Sequence, residues 1–95
     1  MTKLEDLYLI SDPEEVNRRA YELGLNEIHP SSRKDKKYMV FDGRKMVHFG
    51  AYPNYEDATK HKDQKRIDNF KRRNHKWKDA ARYTPSFLSY WLLWT

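Results

Sequence analysis

Residues 37–49 read KYMVFDGRKMVHF, and this stretch decides the fold. It contains two β-prone runs on either side of Asp42-Gly43, and an Asp-Gly pair between such runs is the strongest short-range signal of a β-hairpin. We predict a two-residue turn with positive φ at Gly43 and at Asp42. Successive side chains of a strand point to opposite faces, so the pairing places on one face Tyr38, Val40, Val47 and Phe49. The other face receives Met39, Phe41, Met46 and His48. Both faces are partly apolar, and we expect both to be covered.

Three helices are predicted around this hairpin. The first covers about 13–23, because Asp12 and Pro13 form a cap-plus-proline start and Gly24 is a typical left-handed stop. The second covers about 64–78, with Asp63 as its N-cap, and the third begins at Thr84-Pro85. Apolar residues at 4, 7 and 10 indicate a short turn of helix before the first. Residues 26–37 and 50–59 are predicted to be loops, since they are interrupted by Pro and rich in polar residues.

These elements predict an α+β fold. We expect a small single domain over residues 1–95, in which a β-hairpin, with or without a third short strand, is packed by two or three helices. Ninety-five residues allow one core rather than two. Charge divides the chain, since residues 1–32 hold seven acids and three bases, a balance of −4, and residues 33–95 hold seven acids and 16 bases, a balance of +9. An acidic helical head therefore precedes a basic hairpin-helix body.

The composition excludes several classes of protein. The chain has no cysteine, so disulfides, thiol redox chemistry and thiolate zinc sites are excluded. The first residues lack the basic-then-apolar layout of a signal peptide, and no apolar run approaches the roughly 18 residues of a membrane-spanning helix. We therefore expect a soluble intracellular product without a membrane span.

The basic stretch over residues 60–82 is the first candidate for function. It holds ten Lys or Arg against three Asp, a local balance of +7, with Phe70 and Trp77 interleaved. Cations of this density attract polyanions, and aromatic rings beside them can stack on bases. The alternative is a solvated helix face, and no base-reading pattern is visible. The polyanion-binding candidates are Lys60, Lys62, Lys65, Arg66, Arg72, Arg73 and Lys76.

Catalysis receives little support from the sequence. His61 follows Asp57 by four residues, but a metal site needs three or four convergent ligands, so a structural role at the helix start is favoured. The hairpin followed by Asn74 and His75 loosely resembles a ββα-metal nuclease motif. However, His48 lies on the second strand rather than the first, and no acidic pair converges. We therefore expect no enzyme activity, no metal and no cofactor.

The C-terminal stretch TPSFLSYWLLW, residues 84–94, has almost no polar residue to face water. A short helix of this kind either runs through the core or docks on another subunit. We expect Phe87 and Trp91 to be buried and Tyr90 or Trp94 to remain partly accessible. A loop at residues 52–55 offers a second aromatic surface. The protein-docking candidates are Tyr52, Tyr55, Tyr90 and Trp94.

Six stretches of the chain occur in an order and spacing that is fairly specific. They are LGL at 23–25, PSSRKDKKY at 30–38, DGRKMVHFG at 42–50, YEDATKHKD at 55–63, RRNHKW at 72–77 and TPSFLSYWLLW at 84–94. Together they resemble a family of short basic proteins of uncharacterised function encoded by nucleocytoplasmic large DNA viruses, such as the algal and amoebal giant viruses. The resemblance implies a viral origin, and it implies no catalytic residue, cofactor or substrate.

The resemblance gives the expected function a setting. A small non-enzymatic viral protein is commonly either part of the particle or a companion of the genome. The first expectation is a minor capsid or cement-like protein that contacts other virion proteins, chiefly capsid proteins, because the apolar tail and aromatic loop offer docking surfaces that a genome binder does not need. The alternative is a sequence-independent accessory protein that binds the viral DNA. Either role implies a location in the virion, and in the host cytoplasm or virus factory during assembly.

Overall fold

A three-stranded antiparallel sheet lies at the centre of the computed structural model, which describes residues 2–53 and 55–95. Its strands, in spatial order, are β1 (Ile28–Pro30), β2 (Lys36–Phe41) and β3 (Met46–Ala51). Before the sheet come α1 (Lys3–Leu7) and α2 (Pro13–Glu22), and after it come α3 (Ala58–His61), α4 (Gln64–Arg73) and α5 (Pro85–Leu88). A 3₁₀ segment (His75–Asp79) follows α4, and a π-helical turn (Ser89–Leu93) follows α5. The predicted α+β single domain is confirmed.

The predicted hairpin is present, but its loop is longer. Phe41 pairs with Met46, so the loop holds four residues, 42–45, rather than two. The Asp42 carboxylate accepts hydrogen bonds from the backbone N–H groups of Arg44 and Lys45 at 2.7 and 2.8 Å, which stabilises this turn locally. Gly43 has the predicted positive φ, at +102°, whereas the expectation of a positive φ at Asp42 is wrong.

The register change preserves the predicted faces of the hairpin, because it shifts the pairing by two residues and side chains alternate with a period of two. The first face is buried, with Tyr38 opposite Phe49 and Val40 opposite Val47. The expectation that both faces are covered is wrong. On the second face Phe41 and Met46 are 46% and 40% exposed. The buried residues of the helices join the Tyr38 face in one core, and this short chain has too few apolar residues for a second layer.

Strand β1 lies inside residues 26–37, which the sequence predicted to be a loop. Ile28 pairs with Val40, and Pro30 pairs with Tyr38. The Asn17 side chain covers the outer edge of this strand, since its amide donates to the Ile28 carbonyl at 3.1 Å and its oxygen accepts from the Ile28 N–H at 2.8 Å. One side chain thus satisfies backbone N–H and C=O groups that an edge strand leaves unpaired. With this support, three residues are enough to form the strand.

The helix ends follow the predicted capping signals. The Asp12 side chain accepts from the N–H of Glu15 at the start of α2, and Gly24 ends this helix with φ at +72°. Asp63 caps α4 as predicted, but α4 ends at Arg73 instead of about 78. The Asn74 amide donates to the carbonyl of Phe70 at 3.1 Å, and such side-chain bonds to the backbone compete with the continuation of a helix. The short α3, capped by Asp57, extends into residues predicted to be a loop.

The C-terminal segment runs through the core, which was one of the two alternatives for it. Leu88, Leu92 and Leu93 are almost fully buried, and they join one hydrophobic cluster with residues of α1, α2 and the sheet. The Thr84 side chain accepts from the N–H of Phe87, so the predicted cap is confirmed. Within the described part of the chain, none of the helices has the length and apolar character that crossing a membrane requires.

Candidate polyanion-binding cleft

Helix α4 presents the basic surface of the protein. Ile67 is buried and Phe70 is half-buried, so the apolar side of the helix faces inward and its cations face water. The seven polyanion-binding candidates are all exposed; they lie in α3, at its C-cap, along α4 and in the 3₁₀ segment. Among the described residues, no carboxylate is within ion-pair distance of any of the seven. Their charge is therefore not neutralised by neighbouring side chains.

A cleft of about 610 Å³ opens between α4, the end of β3 and the C-terminal segment. Its exposed or half-buried cations are Lys36, Arg66 and Arg73. Lys37 also reaches its wall, but the charge of Lys37 is paired with Asp57 below the surface. Among the described residues that line it there is no carboxylate, and the remaining polar side chains include Asn69, Ser86 and Ser89. We call this the basic cleft.

Four aromatic rings line the basic cleft, and three of them form a continuous array. Phe70 stacks on Trp94 with ring centroids 4.5 Å apart and planes 8° apart. Trp77 extends this pair through an edge contact to Phe70, with centroids 5.7 Å apart. Tyr55 is the fourth ring and is 63% exposed. The cleft thus combines cations with aromatic surface.

The structure brings together only part of each predicted set. Of the seven polyanion-binding candidates, Arg66 and Arg73 line the cleft, and of the four docking candidates, Tyr55 and Trp94 do. Sequence reasoning missed Lys36, because it lay in a segment predicted as a loop, far in sequence from the basic helix. Asn54, part of the predicted aromatic loop, lies outside the described residues.

The docking candidate Tyr90 is buried, since its ring is only 7% exposed and packs edge-on against Trp91. Phe87 is buried as expected. Trp91, expected to be buried, is half-buried, and its indole N–H donates to the carbonyl of Lys78 at 3.1 Å. This bond ties the 3₁₀ segment to the C-terminal turn. The expectation for the aromatic tail is therefore confirmed for Phe87, which is buried, and for Trp94, which is partly accessible, and it is wrong for Trp91.

Tyr52, the remaining docking candidate, is partly covered by the N-terminal helix. The Lys3 ammonium lies 4.7 Å from the centre of its ring. The same ammonium donates to the carbonyls of Ser31, Arg33 and Lys36 at 2.6–2.8 Å, so it fixes the basic loop between β1 and β2. Burial lowers the pKa of Lys3. The Tyr52 ring is consequently half-buried under this contact.

A buried polar network lies directly beneath the cleft wall. Lys37 donates to Asp57 Oδ2 at 3.0 Å, and their side chains are 2% and 0% exposed. Asp57 Oδ1 accepts from the backbone N–H of Thr59 at 3.0 Å and from its hydroxyl. The network continues through Ser11, whose hydroxyl meets Thr59 at 3.2 Å and accepts from Tyr38 at 2.7 Å. It fixes the segment before α3, and therefore the side of the cleft that carries Tyr55.

Most polar atoms considered for metal binding or catalysis already have a hydrogen-bond partner, although the buried His61 Nε2 has none among the described residues. Both Asp57 oxygens are occupied, and His61 Nδ1 accepts from the N–H of Asp63 at 2.8 Å. Burial and the nearby Arg66 lower the pKa of His61, and burial and neighbouring cations lower that of His48. His48 lies 2.6 Å from the hydroxyl of Ser31. In residues 2–53 and 55–95, no three His, Asp or Glu side chains are grouped so that they could hold a metal ion.

Comparison with known families adds one finding. A family model described as a family of unknown function, DUF5754, matches residues 26–74. The chain belongs to DUF5754. The DUF5754 match begins just before β1 and ends just after α4, so it contains the whole sheet, Tyr55, Arg66 and Arg73, but not the C-terminal segment that closes the cleft. No curated protein and no solved structure matches the chain.

Proposed function

We propose that the protein is a non-enzymatic binder of anionic polymers, and that nucleic acid is its ligand class. The basic cleft carries this proposal: it places Lys36, Arg66 and Arg73 around one concave surface, and none of its described lining residues is a carboxylate. The remaining exposed cations of α3 and α4 extend the positive surface beyond the cleft. The viral setting comes from the family resemblance, and within it the ligand is the genome of a large DNA virus.

Electrostatics supports binding without sequence preference. Lys and Arg attract phosphates wherever they occur along a polymer, whereas sequence is read by hydrogen bonds to base edges in the grooves of the duplex. Helix α4 has ten residues and its cations are distributed around its exposed side. Such a surface follows a phosphate backbone without a fixed register. Its affinity depends strongly on salt, because each neutralised phosphate releases condensed counterions.

The test compares two double variants that remove the same charge. Arg66→Gln with Arg73→Gln changes the cleft, and Arg44→Gln with Lys45→Gln changes the exposed hairpin loop. Fluorescence anisotropy with a labelled duplex, repeated over a salt series, gives the slope of log affinity against log salt. We expect the cleft variant to flatten that slope by about two, close to one for each phosphate contact removed, and the loop variant to change it much less. Equal effects of the two variants, or no salt-dependent binding at all, would contradict the proposal.

A second candidate function, a minor capsid or cement-like protein, is favoured by a different surface. The second face of the sheet exposes Phe41 and Met46, beside half-buried Met39. Adjacent apolar side chains of this kind are typical of protein interfaces. Under this proposal the partners are capsid proteins, and Phe41→Ser should reduce incorporation into particles without unfolding the domain. Purified particles separated into shell and nucleoid would distinguish the two functions.

A further inference from the structure

We propose that the basic cleft binds an unpaired nucleobase together with its phosphate, so that the protein prefers single-stranded nucleic acid to duplex. This inference rests on the proposed function and adds the form of its ligand. The basis is that one cleft contains two features together, namely three cations and the exposed ring of Tyr55.

The aromatic rings are the feature of the cleft that can distinguish single-stranded from duplex nucleic acid. Phosphates are accessible in both, so the cations alone do not distinguish them. Base faces are accessible only where bases are unpaired and unstacked, since a duplex stacks them on one another. Tyr55 has no ring partner among the described residues and is mostly exposed, in contrast to the packed array of Phe70, Trp77 and Trp94. Tyr55 is therefore the ring placed to stack on an incoming base.

The size and chemistry of the cleft fit this ligand. Its volume of about 610 Å³ lies within the roughly 300–1,000 Å³ that is usual for small-ligand sites, which a base with its sugar and phosphate can occupy. Arg66 and Arg73 belong to one helix face, seven residues or about two turns apart, so both can face the cleft. Their planar guanidinium groups bind phosphate in bidentate geometry and also stack on bases. Asn69 offers an amide to a base edge without selecting one base.

Other occupants fit less well. An acidic peptide would neutralise the cations but would leave the exposed Tyr55 ring without a planar partner. An apolar peptide would cover the rings but would bury Arg66 and Arg73 without anions, at a high desolvation cost. A nucleotide satisfies both the charge and the ring. The favoured occupant is therefore a nucleic acid strand with at least one accessible base.

The experiment measures three ligands by fluorescence anisotropy over the same salt series and compares their affinities at one moderate salt concentration: a single-stranded oligothymidylate, a duplex of the same length and polyglutamate. We expect the single strand to bind most tightly. The variant Tyr55→Leu should lose roughly 5- to 150-fold in affinity for the single strand, the range found on removing one base-stacking ring, and should keep its affinity for the duplex. The matched control is Tyr21→Leu, because Tyr21 is 86% exposed on α2 and lies outside the cleft.

The outcomes separate this inference from the proposed function. If Tyr55→Leu changes the affinities for single strand and duplex equally, or changes neither, the base-binding inference is wrong. Salt-dependent duplex binding that is weakened by the Arg66 and Arg73 substitutions would leave the proposed function standing in that case. Polyglutamate binding as tight as oligothymidylate binding, and insensitive to Tyr55→Leu, would overturn the inference in favour of an acidic protein partner. The absence of salt-dependent binding to any of the three ligands would overturn both.

Discussion

Replacing Lys37 by Met would leave the Asp57 carboxylate buried without its cation. The two groups are 3.0 Å apart and almost completely shielded from water. Methionine keeps most of the aliphatic stem of lysine, so packing changes little and the effect is mainly electrostatic. Removing one partner of a buried ion pair costs about 3–5 kcal/mol. Asp57 retains its two hydrogen bonds from Thr59, and we therefore expect a loss of about 3 kcal/mol in the free energy of unfolding.

The reciprocal substitution gives a double-mutant cycle. Asp57→Asn leaves the Lys37 ammonium beside a neutral partner, and burial already lowers the pKa of Lys37 more than Asp57 raises it. The double variant Lys37→Met with Asp57→Asn removes both charges together. We expect its loss in stability to be smaller than the sum of the single losses by about 1–3 kcal/mol, as for residues in direct contact.

Urea denaturation followed by tryptophan fluorescence provides the assay, with Lys45→Met as the exposed control. The control should stay within about 0.5 kcal/mol of the original protein, as surface substitutions usually do. A Lys37→Met variant as stable as this control would refute the burial of the ion pair. If the stability loss of the double variant equals the sum of the two single losses, the direct interaction of Lys37 with Asp57 is refuted.

Three further predictions concern the hairpin, the ring array and His61. Gly43→Val should cost roughly 1–3 kcal/mol, measured by thermal melting, because φ is +102° while a Cβ atom at this position would meet nothing within 4 Å. Trp94→Ala should cost roughly 1–3 kcal/mol by urea denaturation, since a half-buried ring stacked on Phe70 is lost, and an unchanged midpoint would contradict the stack. The pKa of His61 is below its ordinary 6.5, so the unfolded chain takes up the proton first and stability falls as pH drops through about 6.5. His61→Asn keeps an acceptor for the Asp63 N–H, so the variant should lose less stability than the original protein in thermal melts between about pH 7.5 and 5.5. If its stability depends on pH as that of the original protein does, His61 is not the group responsible.

The sequence predicted those parts of the fold that depend on local chemistry. The hairpin faces follow from the period-two alternation around Asp42-Gly43, and the helix starts follow from Asp12, Asp63 and Thr84. The loop length did not follow, because two registers that differ by two residues give identical faces. Strand β1 has only three residues and therefore no periodic pattern of its own, and the Asn17 contact that stabilises its edge comes from another element.

The site depends on contacts between distant parts of the chain. The charge of residues 60–82 marked α4 as a basic surface, but the cleft also needs Lys36 and Tyr55 from other segments. The tail was predicted as a short helix from Thr84-Pro85, whereas residues 89–93 form a π-helical turn in which Tyr90 is buried. The Lys37–Asp57 pair joins a strand to a loop 20 residues away, and composition gives no signal for it.

The most direct test of polyanion binding at the basic cleft is an ¹⁵N-labelled NMR titration with a single-stranded oligothymidylate. The backbone amides around the cleft, those of Lys36, Tyr55, Arg66 and Arg73, are expected to shift together and to saturate with one affinity. The amide signals of residues near Phe41 and Met46, on the exposed sheet face, should not shift. Shifts confined to that sheet face, or none at any oligonucleotide concentration, would contradict the assignment of the cleft as a nucleic-acid site.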